Sequence, residues 1–450
     1  MLGSYFLIVT RVYFAWFIYI FRLRALHPKL YYSSIYLFSK QTFRLPQSAK
    51  SDFFIVFKTY IKTINMLFGD APGVRTTNDG HIAVLDSTKN SDARTKYLSN
   101  FGIKPCIFLS REQLSGSTEF GQRVLGFFLV TKLFALVFLG SFSRNRADYA
   151  LLLREGAEWF NLFSILKKNK ITEIYMFCIY EKDANMLAYL LMKKHIKVNK
   201  ITSEVPLTFA NKIIVSDKII LCFNYQKEEL EAYKNTMFYT ETETWLPEAQ
   251  GAYLHLYTAK SFDIPQHAIG FYSSAFWLRK KLNHSIADVG SYDAEEEVLK
   301  FLIEYMDRRK ELKLVIFTHP YEKRTAENHD LSKTYYSNLV KKELADRIII
   351  TGNDTVSTHA FHVVNIGVSL FSTIMFERLS LGFKTILTPI DKTDFPLENS
   401  PFRNICAYSK EELFKKLDRN IPLSQKEFFD SNGINNYISN KVNINYRLIR

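Results

Sequence analysis

The feature that most constrains this chain is a series of short apolar runs alternating with amphipathic, helix-like stretches. In the middle of the chain, residues 157–168 and 183–194 have helical character, while residues 173–180 and 198–203 read as strands. Short β runs follow at 212–215 and 218–223, then a charged helix at 226–235. A second series has strands at 268–272, 312–318, 347–351, 365–370 and 384–388, with helices at 293–306, 335–344 and 373–381. Runs such as LVIF carry no polar alternation, as expected of strands covered on both faces. Strands alternating with helices predict parallel sheets with crossover helices. Residues 239–265 are polar and aromatic without a clear period and read as a connector. The expected fold is therefore α/β, with two Rossmann-like βαβ domains. Its parts are a basic aromatic segment at 1–50, a first domain at 51–260 and a second at 261–450 with C-terminal helices.

At 450 residues the chain can bury two cores, and 47% hydrophobic against 23% charged residues excludes a disordered protein. Cys106, Cys178, Cys222 and Cys406 are scattered with no CxxC pair, which predicts free thiols in a reducing compartment. The net charge of +14 suggests a polyanionic surface nearby. Nucleic acid does not fit, because the aromatics sit in apolar runs and not among lysines and arginines at base-stacking spacing.

The charge is concentrated at the start. Up to Lys50 there is no acidic residue, while Arg11, Arg22, Arg24, Lys29, Lys40, Arg44 and Lys50 surround the aromatic run YFLIVTRVYFAWFIYIFRL at 5–23. Arg11 interrupts that run, so it is read as lying on an anionic membrane surface and not as spanning one. A second apolar block at 124–142 has Lys132 at its middle, which costs roughly 3 kcal/mol at a helix centre in lipid. A deeply packed or membrane-dipping helix is expected there. The protein is placed in the cytoplasm, peripheral on the inner face of the membrane.

Two passages carry the chemistry. Residues 312–320 (LKLVIFTHP) end a strand in Thr-His-Pro, and residues 368–377 (VSLFSTIMFE) open from a strand into Ser372 and Thr373, with Glu377 further along. Ligands of open α/β sheets bind at that C-terminal strand edge. His319 can donate a hydrogen bond to a phosphate or, as imidazolium, protonate a departing one. Pro320 fixes its turn. Ser372 and Thr373 stand where a helix starts, and can hold an anion with hydroxyls and backbone N–H groups; plain N-capping, with Glu377 complementing the dipole, is the alternative. A third element is GFYSSAFW at 270–277: Gly270 permits a tight turn, and Ser273 and Ser274 offer hydroxyls at the same edge.

The Thr-His-Pro strand end followed by a Ser/Thr helix start resembles the HP and serine motifs of bacterial GT-B glycosyltransferases that use CMP-activated acidic sugars, the sialyl- and Kdo-transferases. The resemblance covers roughly residues 269–395. It implies two domains facing across a cleft and a CMP-sugar donor. It also implies His319 as electrophile or acid on the donor phosphate, with Ser372 and Thr373 holding that phosphate, and a cell-surface glycan or glycolipid acceptor. Such enzymes take their general base from a carboxylate-carboxylate-glycine motif in the first domain, of which this chain has no clean copy. Glu204 in Ser203-Glu204-Val205-Pro206 is the nearest counterpart, with Glu181 and Asp183 as rivals. No DxD pair stands at a strand end, so the expected reaction is a metal-independent, inverting transfer. The same motifs resemble those of CDP-alditol phosphotransferases of the teichoic-acid type, where His359 or His362 would supply a second histidine. A nucleoside-diphosphate-sugar GT-B transferase is a further alternative.

Overall fold

The computed structural model describes residues 52–69, 80–86, 91–110, 120–139, 146–177, 182–202, 214–223, 226–227, 230, 241–245, 248–258, 262–282, 293–370, 372–390, 400–435 and 446–449. The basic N-terminal segment, Cys178, Glu181 and Glu204 fall outside them. The chain divides into two compact units, with the break between Trp245 and Leu246.

The first unit has a parallel sheet of β1 (Ile82–Asp86), β2 (Ile107–Ser110), β3 (Glu173–Met176), β4 (Lys197–Ile201), β5 (Lys218–Leu221) and β6 (Glu241–Thr244) in the order β2-β1-β3-β4-β5-β6. Its helices are α1 (Asp52–Phe68), α2 (Ser91–Ser99), α3 (Phe120–Leu139), α4 (Arg146–Lys168) and α5 (Lys182–Met192). The apolar block expected at 124–142 is mostly α3. Leu129, Val130 and Leu133 are fully buried, and Tyr60 of α1 shares a 3.0 Å hydrogen bond with Thr131. Lys132, the residue that argued against a span, is exposed. Among the described residues no helix is long and apolar enough to cross a membrane. Cys106, Cys222 and Cys406 are buried free thiols, as the scattered spacing predicts.

The second unit is built on β8 (Ala268–Tyr272), β9 (Lys313–Phe317), β10 (Ile348–Ile350), β11 (Ile366–Ser369) and β12 (Thr385–Leu387), all parallel, in the order β10-β9-β8-β11-β12. A separate parallel pair joins β7 (Phe262–Pro265) to β13 (Tyr446–Ile449). Helices α6 (Glu248–Thr258), α7 (Phe276–Lys281), α8 (Ala294–Arg308), α9 (Ala326–Leu339), α10 (Thr373–Ser380), α11 (Lys410–Asn420) and α12 (Gln425–Ser431) complete it. The strands formed where the apolar runs predict, because Leu314, Ile316, Ile366, Val368 and Ile386 are all fully buried. Full burial of each such side chain contributes about 1.5–3 kcal/mol. The expected connector at 239–265 instead holds β6, α6 and β7. Its aromatics hid the period: Tyr257 is buried against the rings of Phe262, Phe361 and Phe383.

Strand order decides where a ligand can sit. In sequence order the second sheet reads 3-2-1-4-5, the Rossmann arrangement. The chain reverses direction between β8 and β11, and the crevice outside their C-terminal ends is the expected ligand position.

Candidate nucleotide-binding site in the second unit

Three loops meet the sheet edge at this switch point. They follow β9, β8 and β11, which lie side by side with β8 in the middle. They carry His319, Ser273 with Ser274, and Ser372 with Thr373, so the topology brings the three predicted elements to one edge.

His319 is half-buried, and Pro320 beside it is exposed. The Tyr321 backbone N–H donates to His319 Nδ1 at 3.0 Å. A ring that accepts at Nδ1 carries its proton on Nε2 when neutral, so Nε2–H is the group left for a ligand. Burial, with the nearby Arg279 and Lys323 charges, pushes the His319 pKa down to about 4. The unliganded ring is therefore neutral at physiological pH. It is set to donate a hydrogen bond, not to stand ready as an imidazolium acid.

The loop is held from below by a buried carboxylate. Glu322 accepts from the His319 backbone N–H (2.6 Å), Trp277 Nε1 (2.5 Å) and the Tyr336 hydroxyl (2.8 Å). The loop after β8 has a matching device. Glu295, at the start of α8, accepts from the Ser274 backbone N–H and, at 2.7 Å, from that of Phe276. Burial, and then the charge of Glu322, raise the Glu295 pKa to about 7; burial raises that of Glu322 as well. Neither carboxylate was singled out from the sequence. Glu295 stands in a Glu-Glu-Glu run in the first turn of α8, where an acidic residue already has a dipole role.

Gly270 does not make the turn expected of it. It lies inside β8, paired with Val315 and Gly367. A Cβ there would come within 2.8 Å of Val364 and 3.2 Å of Phe317. The glycine is required by close packing under the Tyr272–Phe317 ring stack. Ser273 also turns inward: its hydroxyl accepts from the Ala275 N–H at 2.9 Å and hydrogen-bonds Glu295 and Glu322. It shapes the loop. Ser274 differs, because its hydroxyl is buried and has no partner among the described residues.

Ser372 occupies the N-cap position of α10 in an extended conformation, yet its hydroxyl makes no capping bond. Thr373, the first helical residue, is exposed, and Glu377 is half-buried. The side-chain capping role is therefore not realised; the Met375 N–H donates to the Ser372 carbonyl at 3.0 Å, and the N–H groups of Thr373 and Ile374 ahead of it have no intrahelical partner. Arg378 anchors this helix. Fully buried, it donates to the carbonyls of Phe361 (2.6 Å), Val364 (3.1 Å) and Lys384 (3.0 Å) and to the Tyr272 hydroxyl (3.1 Å). It thereby ties α10 to β8 and to the segments that lead into β11 and β12.

His359 is exposed, with its ring 6.2 Å from Tyr253. His362 packs its ring 4.5 Å from Phe262, three residues before Asn365, whose N–H bonds Ala268 at the start of β8. His362 thus lies toward the N-terminal edge of the sheet, away from His319. Glu204 falls outside the described residues; so do Glu181 and the side chain of Asp183. In the first unit, Asp86 ends β1 in a buried 3.1 Å ion pair with Arg94. Among the described residues no cluster of His, Cys, Asp and Glu could hold a metal ion.

No protein-family model and no curated protein matches the chain. Among solved structures it is similar to a UDP-GlcNAc 2-epimerase from Neisseria meningitidis bound to UDP-GlcNAc. The two are 11% identical with a TM-score of 0.46, over 81% of this chain and 96% of that one. It is also similar to MurG from Acinetobacter baumannii, at 12% identity and TM-score 0.41 over 79% and 94% of the two chains. A glycosyltransferase from Rickettsia africae aligns at 14% identity and TM-score 0.40 over 82% and 96%. The α/β assignment rests on the two parallel sheets of this chain itself.

Proposed function

We propose that this protein is a GT-B glycosyltransferase that moves a sugar from a nucleotide donor, CMP-activated and acidic, to a glycan or glycolipid acceptor with inversion. The observation that carries the reading is the placement of His319 and Ser372/Thr373 on the loops flanking β8 at the switch point of a 3-2-1-4-5 sheet. A neutral Nε2–H donor on one side and an uncapped helix start with two hydroxyls on the other suit a phosphate between them.

In the transfer, a carboxylate removes the proton from the acceptor hydroxyl, whose oxygen attacks the anomeric carbon. The bond from that carbon to the phosphate oxygen breaks, and its electron pair stays on the phosphate. His319 Nε2–H and the α10 N–H groups stabilise that charge as it develops. We assign the base to Glu204, which comes three positions after the last residue of β4 in the chain. The choice of CMP rests on the Thr-His-Pro and Ser-Thr pattern. Of the two histidines that the phosphotransferase alternative could use, His362 packs on Phe262 away from His319, which leaves it only the exposed His359. Membrane contact is supported by exposed Phe57, Ile61 and Phe68 on α1 and Phe120, Leu125 and Phe128 on α3, two helices packed on each other.

A donor screen by thermal shift and calorimetry tests the reading. CMP and CMP-sugars should raise the melting temperature and bind, and UDP and GDP should do so more weakly. Absence of binding by any nucleotide would overturn the glycosyltransferase assignment.

A further inference from the structure

We propose that Arg279 and Lys323 form a second anion subsite beside His319, so that the donor presents two negatively charged groups to this unit. The inference rests on the nucleotide-sugar reading above and adds to it. Either of two donors would fit: one with a diphosphate, or one whose single phosphate is accompanied by a carboxylate on the sugar. The shared chemistry is a pair of neighbouring anions.

Arg279 stands in the last turn of α7, half-buried, with its guanidinium carbon 5.6 Å from the centre of the Tyr321 ring. Tyr321 is the residue whose N–H fixes the His319 tautomer, so one short segment positions both groups. The neighbouring Lys280 is paired with Asp293 at 2.6 Å. Arg279 has no carboxylate partner among the described residues, and its buried Nε has no hydrogen-bond acceptor. Lys323 lies in the same turn segment as His319, its N–H donating to the Pro320 carbonyl at 3.3 Å. Its ammonium gives one hydrogen bond, to the Thr355 carbonyl at 2.7 Å. Two acidic groups face it, Glu322 and Asp354. Glu322 is already committed to three donors, and neither carboxylate forms an ion pair with Lys323 among the described residues.

Two half-buried cations thus stand beside a neutral histidine without a carboxylate ion pair among the described residues, and a half-buried charge favours a paired anion. Their effect is registered by His319, whose pKa both charges help to hold down. A bound anion supplies that partner. A planar guanidinium stacked on an aromatic ring takes phosphate or carboxylate oxygens in pairs. The phosphate between His319 and the α10 start needs neither cation for its basic hydrogen bonds. Arg279 and Lys323 are therefore available for a second group on the same ligand.

Calorimetry on the full chain with CMP, CDP and CMP-N-acetylneuraminate tests this, using wild type, Arg279→Gln, Arg279→Lys and Lys323→Gln. At least one of the two doubly anionic ligands should bind wild type about tenfold or more tighter than CMP, and which one identifies the source of the second charge. Arg279→Gln and Lys323→Gln should each erase most of that advantage and leave CMP affinity within about twofold. Arg279→Lys should retain part of it. Melting curves and far-ultraviolet circular dichroism confirm that the variants fold. Equal affinity of wild type for all three ligands, or equal weakening of CMP and the doubly charged ligands in Arg279→Gln, overturns the second subsite and leaves the nucleotide-sugar reading standing. Loss of all nucleotide binding in wild type overturns both.

Discussion

Glu322 offers the sharpest perturbation of the architecture behind His319. Its carboxylate accepts from the His319 backbone, from Trp277 and from Tyr336, all in the interior. Alanine would leave these donors without an acceptor, and an unsatisfied buried donor costs about 1–3 kcal/mol. Losing a buried negative charge offsets part of this, because burial already disfavours the ionised acid. A net loss on the order of 4 kcal/mol follows for Glu322→Ala. Glutamine keeps one acceptor oxygen but turns an amide NH2 toward a donor, and should cost about 2 kcal/mol. For a unit of this size 1 kcal/mol moves the melting temperature by about 2–4 °C. Glu322→Ala should therefore melt on the order of 10 °C lower and Glu322→Gln about 5 °C lower, with urea unfolding giving the same order. Glu322→Gln should also weaken CMP binding severalfold, because the His319 backbone loses its charged anchor. An alanine variant within about 1 kcal/mol of wild type, or a glutamine variant less stable than alanine, would refute the role given to this carboxylate.

Three further outcomes are expected. The Glu295 pKa rises from 4.5 to about 7 on folding, so the folded state holds the proton more tightly. Its contribution to stability is full below about pH 4.5 and is lost as pH rises through 7, by up to roughly 3 kcal/mol. Urea midpoints compared between pH 5 and 8 should fall more steeply for wild type than for Glu295→Gln, and parallel curves would contradict this. The His319 ring, followed by its Cε1–H proton resonance, should titrate near pH 4 in the free protein. Its midpoint should move upward when the negatively charged CMP phosphate binds beside the ring; a free-protein midpoint near 6.5 would contradict the buried, cation-flanked setting. Co-sedimentation with vesicles of anionic phospholipid should weaken when Phe120 and Phe128 are both replaced by serine, and unchanged binding would exclude α3 from the membrane contact.

Much of the frame was legible in the chain because buried parallel strands announce themselves as unbroken apolar runs. The second sheet formed at the strands read from 268–272, 312–318, 347–351, 365–370 and 384–388, each within a residue or two at its ends. What escaped depends on contacts between distant residues. Nothing local separates Glu295 from Glu296 and Glu297, yet Glu295 is buried beneath a loop while Glu297 is exposed. Arg279 and Lys323 read as ordinary surface cations until the fold brings both beside His319. Gly270 was read as a turn residue, whereas its lack of a side chain makes room for Val364 across the sheet. Spacing along the chain shows which strand end a polar group occupies. It does not show whether that group faces inward, as Ser273 does, or has no partner among the described residues, as with Ser274.

The central claim is that His319 stabilises the departing nucleotide phosphate at the switch point of the second unit. The most direct test is the rate of CMP release from a CMP-sugar in the presence of acceptor, for wild type and His319→Ala. The account predicts a fall of about a hundredfold or more in turnover, with folding and melting temperature little changed. Release of CMP at the wild-type rate by His319→Ala would contradict it.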